Sequence, residues 1–210
     1  MIVHHFTTPI TTPFARKSTQ IYGDLRRLWE KAKIKESAKK PEITGLCRLI
    51  KGYKIMIKVL FVCHGNICRS TMAESVFTHL VTQAGLASHF EIDSAATSRE
   101  EIGNPPHYGT VDKLRREHIP LIPHYARQMT AEDYRYYDYL IGMDMANIRN
   151  MTRIVGGADK EQKIYKLLTF AGSGRDVADP WYTGDFDATF ADVMAGGTGL
   201  LEKIRREEHI

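Results

Sequence analysis

Residues 62–70 read Val-Cys-His-Gly-Asn-Ile-Cys-Arg-Ser, directly behind a run of branched apolar residues. Cys63 is a nucleophile in its thiolate form, and Arg69, six residues on, can fork onto two oxygens of a phosphate dianion. A tight loop containing Gly65 would turn successive backbone N–H groups into a concavity for an anion. A helix opening at the end of that loop would add positive potential. The same field is expected to favour the reactive form of Cys63, and Ser70 is placed to donate a hydrogen bond to its sulfur. A cysteine after an apolar strand is often only a small buried residue. Here Gly65, Arg69 and Ser70 in a strand–loop–helix context favour chemistry instead.

Displacement at phosphorus also needs an acid to protonate the leaving oxygen. The candidate is Asp179 in Ala-Asp-Pro-Trp-Tyr-Thr-Gly-Asp-Phe, on a glycine-bearing loop far along the chain. Without the Cys63 loop, an Asp-Pro turn would be the simpler reading of this segment. Trp181 and Tyr182 are candidates for the walls of a pocket around a flat phosphorylated ring, or else ordinary packing residues.

These groups need elements to carry them. IKVLFV, from Ile57, is a short apolar run suited to a strand covered on both faces. Residues 70–84 follow as a helix, with Ala73, Val76, Phe77, Leu80 and Val81 on one side. FEIDSA is a second strand, HYGTVDKLRREH a helix with two prolines before it, and YDYLIGMD a third strand. MANIRNMTRI is a short helix, KIYKLLTF a fourth strand, and a helix over roughly 187–208 closes the chain. Strand and helix alternate, which predicts an α/β fold: an open parallel sheet with helices on both faces. Ligands of such sheets sit at the carboxyl ends of the strands. Cys63 lies at the end of the first.

The 210 residues are 43% hydrophobic and 26% charged, as expected of a globular protein, and no apolar run approaches the ~20 residues of a membrane span. Three cysteines, Cys47, Cys63 and Cys68, are an odd number with no secretory signal before them. That favours free thiols in a reducing, cytoplasmic setting. The net charge of +4 is unevenly spread, with 12 Lys/Arg against 4 Asp/Glu in residues 1–55 and 17 against 21 in residues 56–210. The larger part is mildly acidic, so the overall basicity does not argue for nucleic acid.

Residues 1–55 read as a basic, largely disordered extension: residues 1–20 are Thr/Pro-rich, and residues 23–40 have the spacing of a basic helix. Three readings stand side by side for it. It is a transit peptide, a docking arm, or sequence upstream of a true start at Met56.

VLFVCHGNICRSTMAE together with DPWY resembles the low molecular weight protein tyrosine phosphatases. DSAATS, HYARQMT and DYLIGMD extend the similarity across nearly all of residues 56–210 and none of 1–55. The resemblance implies a four-stranded, doubly wound sheet and a cofactor-free, metal-free, two-step reaction. In it Cys63 takes the phosphoryl group while Asp179 protonates the departing phenol, and water activated by Asp179 then hydrolyses the cysteinyl-phosphate. His64, Gly65, Asn66, Ile67, Cys68 and Ser70, with Trp181 and Tyr182, would bind the substrate. Asn66 would hold the loop's shape and contact Ser70, with Ser94 and His124 in its supporting polar network. The implied partners are tyrosine-phosphorylated proteins or aryl phosphates, acted on by a monomer.

Two positions depart from the family pattern. Thr71 stands where proline is usual. Glu100 stands where some relatives place an aromatic wall, and an acid there would disfavour acidic phosphopeptides. Related arsenate reductases relay oxidation through later cysteines, and none follows Cys68 here. Protein-arginine phosphatases carry threonine at the position of Ile67, whose larger apolar side chain suits an aryl ester. A phosphate-binding or redox-sensing module would not need Asp179. Histidines 4, 5, 107, 118 and 124 lack metal-ligand spacing, and AGGTGLL (195–201) lacks a dinucleotide-binding pattern. Cys68 has no part in the transfer itself; it is either a small packed residue or a thiol able to form a disulfide with Cys63 after oxidation.

Overall fold

In a computed structural model of the protein, residues 56–210 are described. The readings of residues 1–55 as disordered and partly helical lie outside them. Four parallel strands form one sheet: β1 (Ile57–Cys63), β2 (Phe90–Ala96), β3 (Tyr139–Gly142) and β4 (Ile164–Lys166), in the order β2-β1-β3-β4. Among the described residues the α-helices are α1 (Arg69–Gln83), α2 (Tyr108–Arg116), α3 (Ala131–Tyr136), α4 (Met145–Ile154), α5 (Pro180–Thr183) and α6 (Phe186–Glu208).

Because side chains alternate along a strand, β1 feeds two cores. Val59, Phe61 and Cys63 pack on the side that holds Val76 and Phe77 of α1 and Leu200 and Ile204 of α6. Leu60 and Val62 face the other way, towards Tyr134 of α3 and Met151 of α4. The expected α/β sheet with helices on both faces is what forms. β1 is central and buried from end to end apart from Lys58, the one charged residue in its otherwise apolar run.

The fourth strand is shorter than the sequence suggests. KIYKLLTF pairs only through Lys166, which lies opposite Gly142, the last residue of β3. With no partner beyond that point, Leu167–Ala171 turns into a 3-10 segment instead. That segment presses closely on α6: a Cβ at Gly196 would lie 2.5 Å from Leu167 Cγ, and one at Gly199 would lie 2.1 Å from the Phe170 carbonyl oxygen. The glycines of AGGTGLL are therefore a packing surface. Helix α3 was not expected, although Thr130 and Asp133 form a reciprocal capping box at its start.

The order 2-1-3-4 places the reversal of strand order between β1 and β3. Ligand crevices of doubly wound sheets open at the carboxyl edge of such a reversal. Cys63 ends β1, and Asp144 follows β3 by two residues and caps α4, accepting from Asn147 N–H at 2.6 Å. The fold thus delivers one residue from each side of the reversal to the same edge.

Candidate active site

Cys63 is buried, and its sulfur is met by Ser70 Oγ at 3.1 Å and by the Asn66 backbone N–H at 3.2 Å. The loop closes because Asn66 takes a left-handed conformation, φ 60°, which asparagine tolerates better than most residues. Its side chain is wholly buried and saturated. Nδ2 donates to Ser70 Oγ at 3.0 Å and to Ser94 Oγ at 2.8 Å. Oδ1 accepts from the Arg127 backbone N–H at 3.1 Å and lies 2.7 Å from His124 Nε2. Since Ser70 Oγ accepts from Asn66, its own proton is free to point at the Cys63 sulfur.

Behind this layer lies a second set of partners. Ser94 Oγ donates to Glu74 Oε2 at 2.6 Å, and Glu74 Oε2 lies 3.4 Å from His124 Nδ1. That distance would admit an ion pair, but burial drives both groups the other way, lifting the Glu74 carboxyl to about 7 and lowering His124. Burial thus disfavours the charged form of both groups, and His124 Nε2 turns instead to Asn66 Oδ1 at 2.7 Å. Asp93 lies 3.9 Å from the same Nδ1 and takes up Arg127 at 2.8 Å.

Arg69, the first residue of α1, is buried yet charged on every contact. Its Nη1 donates to Asp144 at 2.7 Å and its Nη2 pairs with Asp179 at 2.5 Å. Burial opposes its charge, but Cys63, Asp179 and Asp144 outweigh that and hold the guanidinium above its ordinary value. Asp179 caps the single turn of α5, accepting from Trp181 N–H at 3.1 Å, with Pro180 in the first helical position. The segment before it is pinned to α6: Asp192 receives the Arg175 guanidinium at 2.5 and 2.9 Å and the Ala178 N–H at 2.9 Å. Thr189 Oγ1 adds a bond to the Ala178 carbonyl at 2.9 Å.

A cavity of about 150 Å³ opens over these groups, lined by Cys63, His64, Gly65, Ile67, Cys68, Arg69, Glu100, Glu101, Asp179, Trp181 and Tyr182. Every residue expected to act on or bind the substrate lines it, except Asn66 and Ser70, whose side chains are wholly buried. Ser94 and His124 occupy the supporting network. Thr71 falls at the third position of α1 and bonds back to the Cys68 carbonyl at 3.0 Å, a contact proline could not make. Cys68 caps α1, and burial, then the charges of Cys63 and Asp179, push its thiol up to about 12. Asp144, Glu74, Asp93, Arg127, Asp192 and the rim residue Glu101 were not anticipated. Only Asp144 carried a local signal, as a helix-capping aspartate before MANIRNMTRI.

A nucleophile-bearing anion loop at the strand-order reversal, facing a carboxyl on a separate pinned loop, defines a cysteine-dependent phosphoryl-transfer class of site. The family model described as low molecular weight phosphotyrosine protein phosphatase matches residues 58–209, and the chain belongs to that family. The low molecular weight protein-tyrosine-phosphatase YfkJ of Bacillus subtilis is 41% identical over 157 residues, covering 74% of this chain and 100% of the relative. The human low molecular weight phosphotyrosine protein phosphatase is 39% identical over 149 residues, covering 69% of this chain and 94% of the relative. The crystal structure of the Bacillus subtilis protein superimposes with a TM-score of 0.70 at 42% identity, covering 72% of this chain and 96% of that one.

Proposed function

We propose that the protein hydrolyses phosphotyrosine, in proteins or as small aryl phosphates, by two transfers of one phosphoryl group, acting as a cytoplasmic monomer. The observation that carries this is that Cys63 and Asp179 line one cavity and share Arg69 between them. In the first step the phosphate dianion settles on the loop N–H groups and the Arg69 guanidinium. The Cys63 sulfur attacks phosphorus as the phosphorus–oxygen bond to tyrosine breaks, and protonated Asp179 gives its proton to the departing oxygen. In the second, a water attacks the cysteinyl-phosphate while Asp179 takes its proton, and inorganic phosphate leaves with Cys63 restored.

The remaining groups position this chemistry. Ser70 O–H and the Asn66 N–H stabilise the sulfur as it leaves phosphorus in the second step. Asp144 fixes the plane of Arg69. Ile67 and the aromatic pair Trp181 and Tyr182 offer apolar surface to the tyrosine ring. Residues 56–210 carry all of these groups, which supports a catalytic unit within that span. The test is a kinetic comparison of an aryl phosphate, an alkyl phosphate and phosphoarginine. The aryl ester should be the best substrate by kcat/KM; faster hydrolysis of phosphoarginine would overturn the reading.

A further inference from the structure

Beyond the phosphate and the ring, the cavity has a charged rim that the two-step chemistry does not use. Glu100 and Glu101 stand on the loop after β2. Glu100 is exposed, with its Oε2 held 3.1 Å from Nε2 of His64, the residue next to the nucleophile. Glu101 lies against the loop itself: a Cβ at Gly65 would be 3.1 Å from its Cγ, and Asn104 Nδ2 fixes its Oε2 at 2.7 Å. Glu101 is therefore held at the mouth, while Glu100 reaches it as an exposed side chain beside His64. The facing wall is aromatic and open, with Trp181 61% and Tyr182 85% exposed.

Among the described residues lining this cavity Arg69 is the sole Lys or Arg, and in the reading above it is taken up by the phosphate. Arg99, next to Glu100 in the chain, is exposed and does not line the cavity. Once a phosphate dianion occupies Arg69, what remains at the mouth is two carboxylates, one of them beside the His64 imidazole, and the faces of Trp181 and Tyr182. Both attract a cation, and both are poor neighbours for an acidic side chain. Consecutive residues of a bound peptide are 3.8 Å apart, so side chains beside the phosphotyrosine fall within the ~8 Å over which charges act at physiological salt.

Resting on the phosphatase reading above, we propose that Glu100 and Glu101 select phosphotyrosines flanked by Lys or Arg and reject those flanked by Asp or Glu. The carboxylates meet the ammonium or guanidinium head, and Trp181 and Tyr182 offer their faces to it. Glu100 and Glu101 are specificity residues and take no part in bond making.

The experiment compares kcat/KM for one phosphotyrosine peptide made with Lys or with Glu on both sides of the phosphotyrosine, using the full chain. Wild type should favour the Lys peptide about tenfold at low salt, the order expected of rim charges acting on association, and less so in about 0.5 M NaCl. In Glu100→Gln/Glu101→Gln the ratio should collapse towards unity, and Glu100→Gln alone, a change at an exposed side chain, should give an intermediate ratio. A ratio unchanged in both variants, or a wild type that prefers the Glu peptide, overturns the proposal. p-Nitrophenyl phosphate turnover by wild type separates the two levels. If it is hydrolysed while both peptides react equally, the rim inference fails alone; if neither it nor the peptides react, the phosphatase reading fails.

Discussion

Asp179 sits 2.5 Å from Arg69 Nη2, so the carboxyl proposed to serve the leaving group rests, without substrate, on the guanidinium proposed to hold the phosphate. An incoming dianion competes for that guanidinium and frees the carboxyl to face the leaving oxygen. Asp179→Asn should then bind inorganic phosphate about threefold to tenfold more tightly than wild type, a modest gain because the charge removed is partly exposed. The inhibition constant of phosphate against an aryl phosphate measures it; weaker phosphate binding would mean that Asp179 supports the anion site rather than competing for it.

Proton delivery by Asp179 carries a second signature. Asp179→Ala should slow esters of weakly acidic phenols by about 10²–10⁴, the usual contribution of general acid catalysis, with the loss shrinking as the phenol becomes more acidic. Asp192→Asn, which weakens the fork that pins the preceding segment through Arg175, should show the same trend at smaller amplitude. Rate losses independent of the leaving group in both variants would reduce Asp179 to a helix cap.

Glu74 gives a pH dependence of stability. Its folded value of about 7 stands above the 4.5 of an ordinary glutamate, chiefly through burial. Below pH 4.5 the carboxyl is protonated in both states and carries no penalty. Between the two values the unfolded chain releases the proton that the folded one keeps, so stability falls as pH rises and then levels off above about 7. The span amounts to about 3 kcal/mol at 1.36 kcal/mol for each unit. Glu74→Gln keeps an acceptor for Ser94 and should flatten the denaturation midpoint over this range. An equally steep decline in Glu74→Gln would place the titrating group elsewhere.

Cys68 allows a test of oxidation. Its thiol, pushed up to about 12, stays protonated at neutral pH and so does not compete with Cys63 for phosphorus. If peroxide converts Cys63 to the sulfenic acid, condensation with the Cys68 thiol would release water and form a disulfide, which a dithiol reduces back to two thiols. Dithiothreitol should restore most activity to peroxide-treated wild type and much less to Cys68→Ser. Equal recovery in the two proteins would leave Cys68 as a packing residue.

The parts of this account that were legible in the sequence are those written within a few residues of one another. The apolar run of β1, Gly65, Arg69 and Ser70 define the anion loop locally, and Asp179 stands out through Pro180 and the aromatic pair beside it. Glu74, Asp93 and Arg127 reach the loop from α1, β2 and the segment before α3, a meeting that register and packing decide and no spacing encodes. The overlong fourth strand has a similar origin. Leu167 and Leu168 look like strand residues, yet their backbone runs out of partners where β3 ends at Gly142 and docks on the glycines of α6. Helix α3 was missed for a different reason, since its six residues are too few for periodicity and only the capping box betrays it.

The central claim is that Cys63 itself carries the phosphoryl group between tyrosine and water. Acid quenching of wild type during p-nitrophenyl phosphate turnover, followed by peptide mass mapping, should find a phosphoryl adduct on the sulfur of Cys63. Cys63→Ser should lose at least about a thousandfold in rate, as expected for removal of a nucleophile, while still binding an unreactive phosphate analogue through Arg69 and the loop. Turnover of Cys63→Ser near the wild-type rate, or an adduct found on another residue, would contradict the account.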